Sequence, residues 1–431
     1  MTGSAGTGPA TRRSIRVAGW SLVILLPGVL LGLIEATVRI LDLEPGRGPR
    51  AAVPAWLDRN VLAKESQWID LLAESPGDLD NYYRTYVWDR HLFYRLRPGL
   101  IVTLTDVTAP AAIRDRTRWT FSTNARGFTG PEVPYEKPPG TFRVVAMGDS
   151  STFGWGVETE QSYPRVLETE LRRRLPGRRI EVINLGVCGY TSLQGRVLLE
   201  REGLRYQPDI VTISYGSNDF SPVPEPFEEV YRRNLGWSGA ARALLNHSRA
   251  YRLYASALLG AVQARGAPAA APAEGGARIV LNVGPDASQE NLIRMAGAAS
   301  AGGADPIFVA HCTPGHLGEP MRRAAGASGA PLIESGPLLE RSVEQGVASA
   351  RFPQEAARLR SLYTAALMER FGWLQVYLTD HCHPNSIGHQ LVAEALLPIV
   401  ESTPAFRRFA GESPAAASAG GGSRESARRN R

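Results

Sequence analysis

Residues 144–154 have the sequence VVAMGDSSTFG, in which an apolar run ends at Gly148-Asp149-Ser150 and a turn rich in serine, threonine and glycine follows. A strand that ends at such a turn before a helix presents its last side chain at the carboxyl edge of the sheet, where open α/β sheets bind their ligands. Ser150 is therefore a candidate nucleophile, provided that a base and an oxyanion site come from elsewhere in the chain. Taken alone, Gly-Asp-Ser is more often a simple turn or a helix N-cap.

From residue 141 onward, short apolar runs alternate with amphipathic segments. The predicted strands are 142–147, 180–185, 209–215, 306–311 and 331–334, and the predicted helices are 160–175, 192–204, 287–300, 354–371 and 386–400. Residues 221–264 are predicted to be mostly helical, and residues 373–378 to form a short extended run. Short apolar runs are typical of buried parallel strands, and their alternation with helices predicts a doubly wound α/β fold.

The composition is that of a globular protein, since 43% of the 431 residues are hydrophobic and 21% are charged. The formal net charge is +6, but the arginines are scattered among Asp and Glu and form no basic stripe. This distribution argues against nucleic-acid binding. The three cysteines match no zinc pattern and leave at least one thiol unpaired. Cys188 and Cys382 fall in predicted loops at the site edge, where they either form a disulfide or remain two buried thiols.

The N-terminus carries the pattern of a membrane anchor. Arg12, Arg13 and Arg16 precede 18 uncharged residues, 17–34, close to the ~20 that a spanning helix needs. The positive N-terminal flank predicts a cytoplasmic segment at 1–16, a single-pass anchor at 17–40, and export of everything that follows. A cleaved signal peptide is the alternative, although no clear Ala-x-Ala site follows the apolar run.

Residues 41–140 are predicted to hold a linker and an N-terminal extension that packs on the catalytic domain. Residues 43–54 are rich in Pro, Gly and Arg, as linkers are, whereas 82–104 are rich in the aromatic and β-branched residues of strands. Residues 117–130 indicate a strand and a turn, in which Arg126 either contacts a ligand or serves the turn.

The catalytic domain is predicted to span residues 141–402. Within it, a segment near 265–278 is rich in Ala, Pro and Gly and is predicted to be a flexible surface insertion. Residues 403–431, mostly Gly, Ser, Ala and Arg, are predicted to form a disordered tail.

Three further polar clusters follow predicted strands on the same edge as Ser150. They are residues 184–191, 216–219 and 380–383. His383 can take the serine proton, and Asp380, three residues earlier in the same loop, can hold the imidazole tautomer. The N–H of Gly189 and the side-chain amide of Asn218 can bind a developing oxyanion, each donor contributing about 3 kcal/mol when it is preorganised.

These clusters, in this order and at strand ends, resemble the sequence blocks of the SGNH (GDSL-type) hydrolase superfamily. The matching residues, within 141–402, are Ser150 in Gly-Asp-Ser, Gly189 after the second strand, Asn218 in Gly-x-Asn-Asp, and Asp380 with His383 in Asp-x-x-His. The resemblance implies a three-layer, flavodoxin-like α/β/α sandwich on a five-stranded parallel sheet, and a hydrolase of esters that needs no metal or cofactor. It also implies that the Ser150 N–H is a third oxyanion donor.

Residues 123–128, TNARGF, together with the predicted anchor resemble a bacterial membrane-tethered subgroup of this superfamily. One departure from the superfamily pattern is Ser151, where many members have leucine. That position lies in the turn and away from the reacting groups, so the expected activity stands.

Several neighbouring residues compete for the same roles. Ser151 is the alternative nucleophile, and Gly186 is the alternative oxyanion donor. His381 and His389 are the alternative bases. Asp380 is adjacent to His381 and cannot easily reach its ring, while His389 lies inside the last predicted helix.

Two further pairs of residues have either structural or functional interpretations. Asp149 and Asp219 are expected to hold their loops and to take no part in catalysis. His311 and Cys312, which follow the fourth strand, either line the pocket or pack in the core.

The sequence therefore predicts a membrane-anchored, extracytoplasmic serine esterase that acts on acyl esters of a glycan or lipid, with acetyl groups on cell-envelope glycans as the expected substrate. One alternative is an O-acetyltransferase that uses the same triad beside a membrane acyl-donor protein. The other is a non-catalytic envelope protein that keeps the fold for binding.

Overall fold

The computed structural model describes residues 26–43, 59–264 and 279–411. These residues fall into two units. The smaller comprises 26–43 and 240–264, and the larger comprises 59–239 and 279–411. The predicted insertion near 265–278 and most of the predicted linker lie outside the described residues.

The first helix, α1, spans residues 26–40, and residues 17–25 of the predicted anchor lie outside the described residues. None of the helices in the described ranges is both long and apolar enough to cross a membrane. Within the smaller unit, the carboxylate of Glu35 on α1 accepts hydrogen bonds from the backbone N–H groups of Arg249 and Ala250. These contacts tie α1 to the start of the helix at Arg249–Ala264.

An N-terminal extension of mixed structure opens the larger unit. Its elements are α2 (Arg59–Ala73), α3 (Pro76–Thr85), β1 (Tyr86–Asp89), β2 (Phe93–Leu96), β3 (Ile101–Leu104), α4 (Ala111–Arg114) and β4 (Trp119–Ser122). Strands β1 and β2 form one antiparallel pair, and β3 and β4 form another. The strands predicted within 82–104 are thus present, but the first four residues of that range complete α3. Sequence reasoning missed α2 and α3.

The central sheet has five parallel strands. They are β5 (Thr141–Gly148), β6 (Arg179–Asn184), β7 (Ile210–Ser214), β8 (Asp305–Ala310) and β9 (Leu332–Glu334). Every strand end lies within one residue of its predicted position. The spatial order β6-β5-β7-β8-β9 is the flavodoxin-like arrangement, in which the chain changes direction between β5 and β7. Ligands bind outside the carboxyl ends of the strands at such a switch point.

The remaining helices complete the chain. They are α5 (Ser150–Phe153), α6 (Tyr163–Arg174), α7 (Ser192–Arg201), α8 (Phe227–Leu235), α9 (Trp237–Leu245), α10 (Arg249–Ala264), α11 (Pro285–Ala301), α12 (Glu319–Ser328), α13 (Ser335–Glu344), α14 (Val347–Arg351), α15 (Pro353–Leu362), α16 (Ala365–Arg370), α17 (Ser386–Ser402) and α18 (Pro404–Ala410).

Helices cover both faces of the sheet, which is why all eight residues of β5 are buried. Phe142 and Val144 pack into a core shared with α6, α13 and α17. Because side chains alternate along a strand, Val145 and Met147 face the other side, where α7 and α11 pack. The predicted α/β fold with a five-stranded parallel sheet is confirmed.

Three local predictions were wrong. The helix expected at 354–371 is broken, because α15 ends at Leu362 and Thr364 starts α16 as its N-cap by accepting from the Leu367 N–H. The extended run expected at 373–378 begins as the 3₁₀ turn Gly372–Gln375. The tail expected to be disordered from residue 403 begins with α18, whose Phe406 is buried against Phe142. Residues 412–431 lie outside the described residues.

Candidate active site

The turn after β5 places Ser150 at the sheet edge. Ser150 is the first residue of α5, and Asp149 caps this helix by accepting a hydrogen bond of 3.0 Å from the Ser151 N–H. Gly148 must lack a side chain, because a Cβ there would lie 1.9 Å from the Thr152 hydroxyl. The short apolar strand and its small-residue turn thus present a half-buried Ser150 at the switch point.

The structure brings Ser150, His383 and Asp380 into one hydrogen-bonded chain. His383 Nε2 lies 2.7 Å from Ser150 Oγ, and His383 Nδ1 lies 2.5 Å from Asp380 Oδ2. The other carboxylate oxygen of Asp380 accepts from the backbone N–H groups of Cys382 and His383. The loop therefore fixes the carboxylate, and the carboxylate fixes the imidazole with Nε2 directed at the serine.

The alternative bases lie elsewhere. His381 is exposed, and its ring stacks on Trp373 at 4.6 Å. His389 is buried in α17, where its Nδ1 accepts a hydrogen bond of 3.2 Å from the Tyr163 N–H. Burial lowers the pKa of His389 to about 3, so this imidazole stays neutral in the core.

Two opposing electrostatic effects act on His383. Burial by itself disfavours the imidazolium, but the charge and hydrogen bond of Asp380 outweigh burial and raise the pKa of His383 above its usual value. Burial likewise disfavours the Asp380 carboxylate, yet the adjacent His383 and the two backbone N–H groups lower the pKa of Asp380. The pair therefore stabilises the protonated imidazole that forms when His383 accepts a proton.

Two backbone N–H groups and one amide surround the space beside Ser150. Within the described part of the chain, the N–H groups of Ser150 and Gly189 donate to no acceptor. The N–H of Gly186, by contrast, donates to Asn184 Oδ1 at 2.9 Å, which leaves Gly189 as the available donor of that loop. Asn218 Nδ2 donates to Asp149 Oδ2 at 3.2 Å, and an amide nitrogen carries a second hydrogen for another acceptor.

The two aspartates expected to be structural hold loops in place. Asp149 joins the Ser150 turn to Asn218, and burial raises the pKa of its carboxyl group. Asp219 accepts from the Ser192 N–H at 2.8 Å and the Ser288 hydroxyl at 2.6 Å, so it anchors the first turn of α7. Burial raises the pKa of Asp219 to about 6.

A pocket of about 240 Å³ opens beside Ser150 and His383. Its walls include Lys64 and Trp68 of α2 and Tyr82 of α3, so the N-terminal extension forms part of the site. The Trp68 ring lies edge-on to the His383 ring at 6.0 Å.

Sequence reasoning found none of the pocket residues that come from the extension. A signal was present, because Val61, Ile69 and Leu72 have the spacing of one helical face and are buried in the structure. Arg126, considered for ligand contact, instead donates to the Val133 carbonyl and covers the Tyr135 ring at 4.5 Å. Within the described residues, no three His, Cys, Asp or Glu side chains gather as a metal site requires.

A disulfide joins Cys312, in the loop after β8, to Cys382 in the loop that carries His383. The pairing of Cys188 with Cys382 that the sequence left open is therefore wrong, and Cys188 is buried and takes no part in a disulfide. Cys382 pairs with Cys312 because β8 lies beside β7, so that the loop after β8 reaches the edge of the site. Cys312 lines the pocket, whereas His311 is buried and bonds Ser335 Oγ at 2.8 Å.

Solved structures with similarity to this chain include TesA, with 17% identity, 60% coverage of this chain, 98% coverage of TesA and a TM-score of 0.33. The acetylxylan esterase Axe2 from Geobacillus stearothermophilus has 15% identity, 60% and 93% coverage, and a TM-score of 0.33. A lipase/acylhydrolase from Enterococcus faecalis has 14% identity, 60% and 95% coverage, and a TM-score of 0.34. No curated protein matches the chain in sequence.

The family model of the GDSL-like lipases and acylhydrolases matches residues 146–391, which is more than half of the chain. The matched range runs from β5 into α17 and so includes the Ser150 turn, the Asn218 loop and the His383 loop. The chain accordingly belongs to the GDSL-like lipase/acylhydrolase family, and it is a hydrolase that acts on ester bonds.

Proposed function

We propose that the protein is a serine esterase in which Ser150 is the nucleophile, His383 the general base and acid, and Asp380 the residue that orients His383. The observation that carries this proposal is the chain of hydrogen bonds of 2.7 and 2.5 Å that links the three side chains. Groups at these distances can pass a proton without rearrangement of the loop.

The reaction proceeds in two halves. Ser150 Oγ attacks the ester carbonyl carbon as His383 Nε2 takes the hydroxyl proton. The carbonyl oxygen becomes an oxyanion that the N–H groups of Ser150 and Gly189 and the amide of Asn218 bind. Collapse of this intermediate expels the alcohol, which receives the proton from His383. A water molecule then attacks the acyl-serine as His383 Nε2 takes its proton. Collapse of the second tetrahedral intermediate releases the carboxylic acid, and His383 returns the proton to Ser150 Oγ.

The pocket favours a short acyl group. Its volume of about 240 Å³ is below the ~300–1,000 Å³ of sites that enclose drug-sized ligands. Trp68 and Trp155, whose ring centroids lie 5.9 Å apart, bound it on the side of His383. We propose acetyl esters of cell-envelope glycans as the substrate class, since an acetyl group fits this volume.

We further propose that residues 17–40 hold the protein at a membrane, with the catalytic residues outside the cytoplasm. Apolar side chains of α1 support this proposal, because five of them are 58–64% exposed. These are Leu26, Val29, Leu30, Leu31 and Leu33. The Cys312–Cys382 disulfide also supports it, because such bonds form and persist in oxidising compartments. Recovery of the full chain in the cytoplasmic fraction, and not in carbonate-washed membranes, would contradict this placement.

The esterase proposal is tested with p-nitrophenyl acetate, butyrate and octanoate. We expect hydrolysis that falls as the acyl chain lengthens and that Ser150→Ala abolishes. Ser151→Ala is the matched control, since it removes the neighbouring hydroxyl and should retain activity. Transfer of acetyl to a sugar acceptor without release of acetate would instead indicate the O-acetyltransferase. Turnover of no ester would indicate a binding protein.

A further inference from the structure

Two side chains of the N-terminal extension donate hydrogen bonds to the loop within residues 184–191 that contains Gly189. We propose that Tyr94 and Lys64 are positioning residues, which fix the peptide between Cys188 and Gly189 so that its N–H points at the oxyanion. This inference rests on the proposed esterase function.

Two side chains of the extension hold two consecutive carbonyl groups of the loop. The Tyr94 hydroxyl, on β2, donates to the Cys188 carbonyl oxygen at 2.8 Å. Lys64 Nζ, on α2, donates to the Gly189 carbonyl oxygen at 2.5 Å. Lys64 Nζ also lies 3.4 Å from the Tyr94 hydroxyl, so the two donors form one connected group. Tyr94 is only 2% exposed, and the Tyr190 ring packs against it at 5.4 Å.

The geometry of the peptide unit turns this contact into an orientation of the donor. In a trans peptide, the C=O and the N–H of one unit point in opposite directions. Because Tyr94 holds the Cys188 carbonyl, the Gly189 N–H in the same unit must point away from Tyr94. Gly189 lines the pocket together with Ser150, and its N–H donates to no acceptor among the described residues.

The loop needs such support because its backbone is soft at this point. Gly189 has φ +75°, a left-handed conformation that glycine adopts at little cost and leaves as readily. Rotation of the Cys188–Gly189 peptide would replace the N–H facing the pocket with a carbonyl oxygen. A carbonyl oxygen repels an oxyanion, so the same rotation would remove a stabilising donor and add a destabilising group.

The experiment compares Tyr94→Phe and Lys64→Met with a matched control, Tyr190→Phe. The Tyr190 hydroxyl donates to the Tyr94 carbonyl oxygen at 2.6 Å, so this control also loses a buried tyrosine hydrogen bond at the same contact. It leaves the Cys188 and Gly189 carbonyls with their donors. For each protein we would measure kcat and KM with p-nitrophenyl acetate, the inhibition constant of phenylboronic acid, and Tm.

We expect Tyr94→Phe and Lys64→Met to lower kcat by about 10- to 100-fold with little change in KM, since a displaced donor weakens transition-state binding. Phenylboronic acid forms a tetrahedral adduct with the serine, so its inhibition constant should rise by a similar factor. Combining the two substitutions should cost less than the product of the single losses, because both act on one peptide. Tyr190→Phe should keep kcat within about threefold of the wild-type value, although its Tm should decrease by about as much as that of Tyr94→Phe.

Equal kcat losses in Tyr94→Phe and Tyr190→Phe, in an active wild type, would overturn the inference and leave the esterase proposal intact. An increase in KM with unchanged kcat would also overturn it, because that pattern belongs to substrate binding. A wild type with no esterase activity would refute the proposed function and this inference together, since no oxyanion would then form at Gly189.

Discussion

The side-chain amide of Asn218 donates to the carboxylate of Asp149 at 3.2 Å, and this bond ties the loop after β7 to the turn that presents Ser150. The two residues come from neighbouring strands of the sheet, on either side of the switch point. One N–H of the amide is thereby used to fix its plane. The second is left for another acceptor, which in the proposed reaction is the oxyanion.

Replacing Asn218 tests this donor. We expect Asn218→Ala to lower kcat by about 10²–10³-fold with a small change in KM, because the lost hydrogen bond strengthens only as the oxyanion forms. Steady-state kinetics with p-nitrophenyl acetate measure both parameters. Asn291→Ala is the control, since Asn291 bonds Ser192 and Arg196 away from the pocket. A loss confined to KM would contradict the assigned role.

The pH dependence of hydrolysis reports the coupling of His383 to Asp380. His383 must be neutral to accept the serine proton, so kcat/KM should rise with pH through an apparent pKa above 6.5, the usual value from which Asp380 raises it. Asp380→Asn removes that charge and should move the acid limb to lower pH. It should also lower kcat by roughly 10⁴-fold, because the imidazole loses the partner that sets its tautomer. Rate profiles from pH 5 to 9 measure the limb, and an unchanged limb in the variant would contradict the coupling.

Asp219 should make the protein less stable as pH rises from acid to neutral. Its pKa is raised by burial from 3.8 to about 6, so between these values the unfolded state binds fewer protons and the free energy of unfolding falls with increasing pH. The loss is complete above pH 6 and is on the order of 3 kcal/mol. In Asp219→Asn this contribution disappears. We would measure the free energy of unfolding of both proteins by urea titration between pH 4 and 7. Relative to the wild type, the variant should become more stable as pH rises. Free energies of unfolding that change equally with pH in the two proteins would contradict the burial effect.

The Cys312–Cys382 disulfide should support both stability and activity. It closes a loop of 70 residues, for which the chain-entropy relation gives about 4 kcal/mol of stabilisation. Replacing both cysteines with serine should lower the free energy of unfolding by up to this amount. It should also lower kcat, because Cys382 is adjacent to His383. Dithiothreitol should lower the Tm and activity of the wild type and leave those of the variant unchanged; equal responses of the two proteins would contradict this role.

The fold was predictable because its signals are local. Each strand of the central sheet is a short apolar run bounded by turn residues, and burial by helices on both faces explains why no polar alternation interrupts it. The exceptions have two different causes, of which only the first is local. The helix expected at 354–371 is broken because Thr364 N-caps a new helix. Helix α18 forms because Phe406 packs against Phe142. That second cause is a contact between distant parts of the chain.

The site was predictable in part, for the same reason. Asp380 and His383 are three residues apart in one loop, and Ser150 and Asn218 each follow a strand that joins the same sheet. The parallel arrangement by itself gathers such positions at one edge. The resemblance to the family already favoured Gly189 over Gly186, and the structure adds the reason that the Asn184 side chain occupies the Gly186 N–H.

Short-range patterns and strand order were enough to locate the strands of the sheet, the edge at which the polar loops gather, and Ser150, Asp380 and His383 as candidate site residues. The pairing of Cys382 with Cys312 and the bonds from Tyr94 and Lys64 to the Gly189 loop emerged from the packing of the folded chain. Tyr94 and Cys188 are 94 positions apart, and no periodicity or spacing links them. Their contact exists because the extension buries its apolar faces against the catalytic domain, and that packing brings a hydroxyl and an ammonium to the back of the loop.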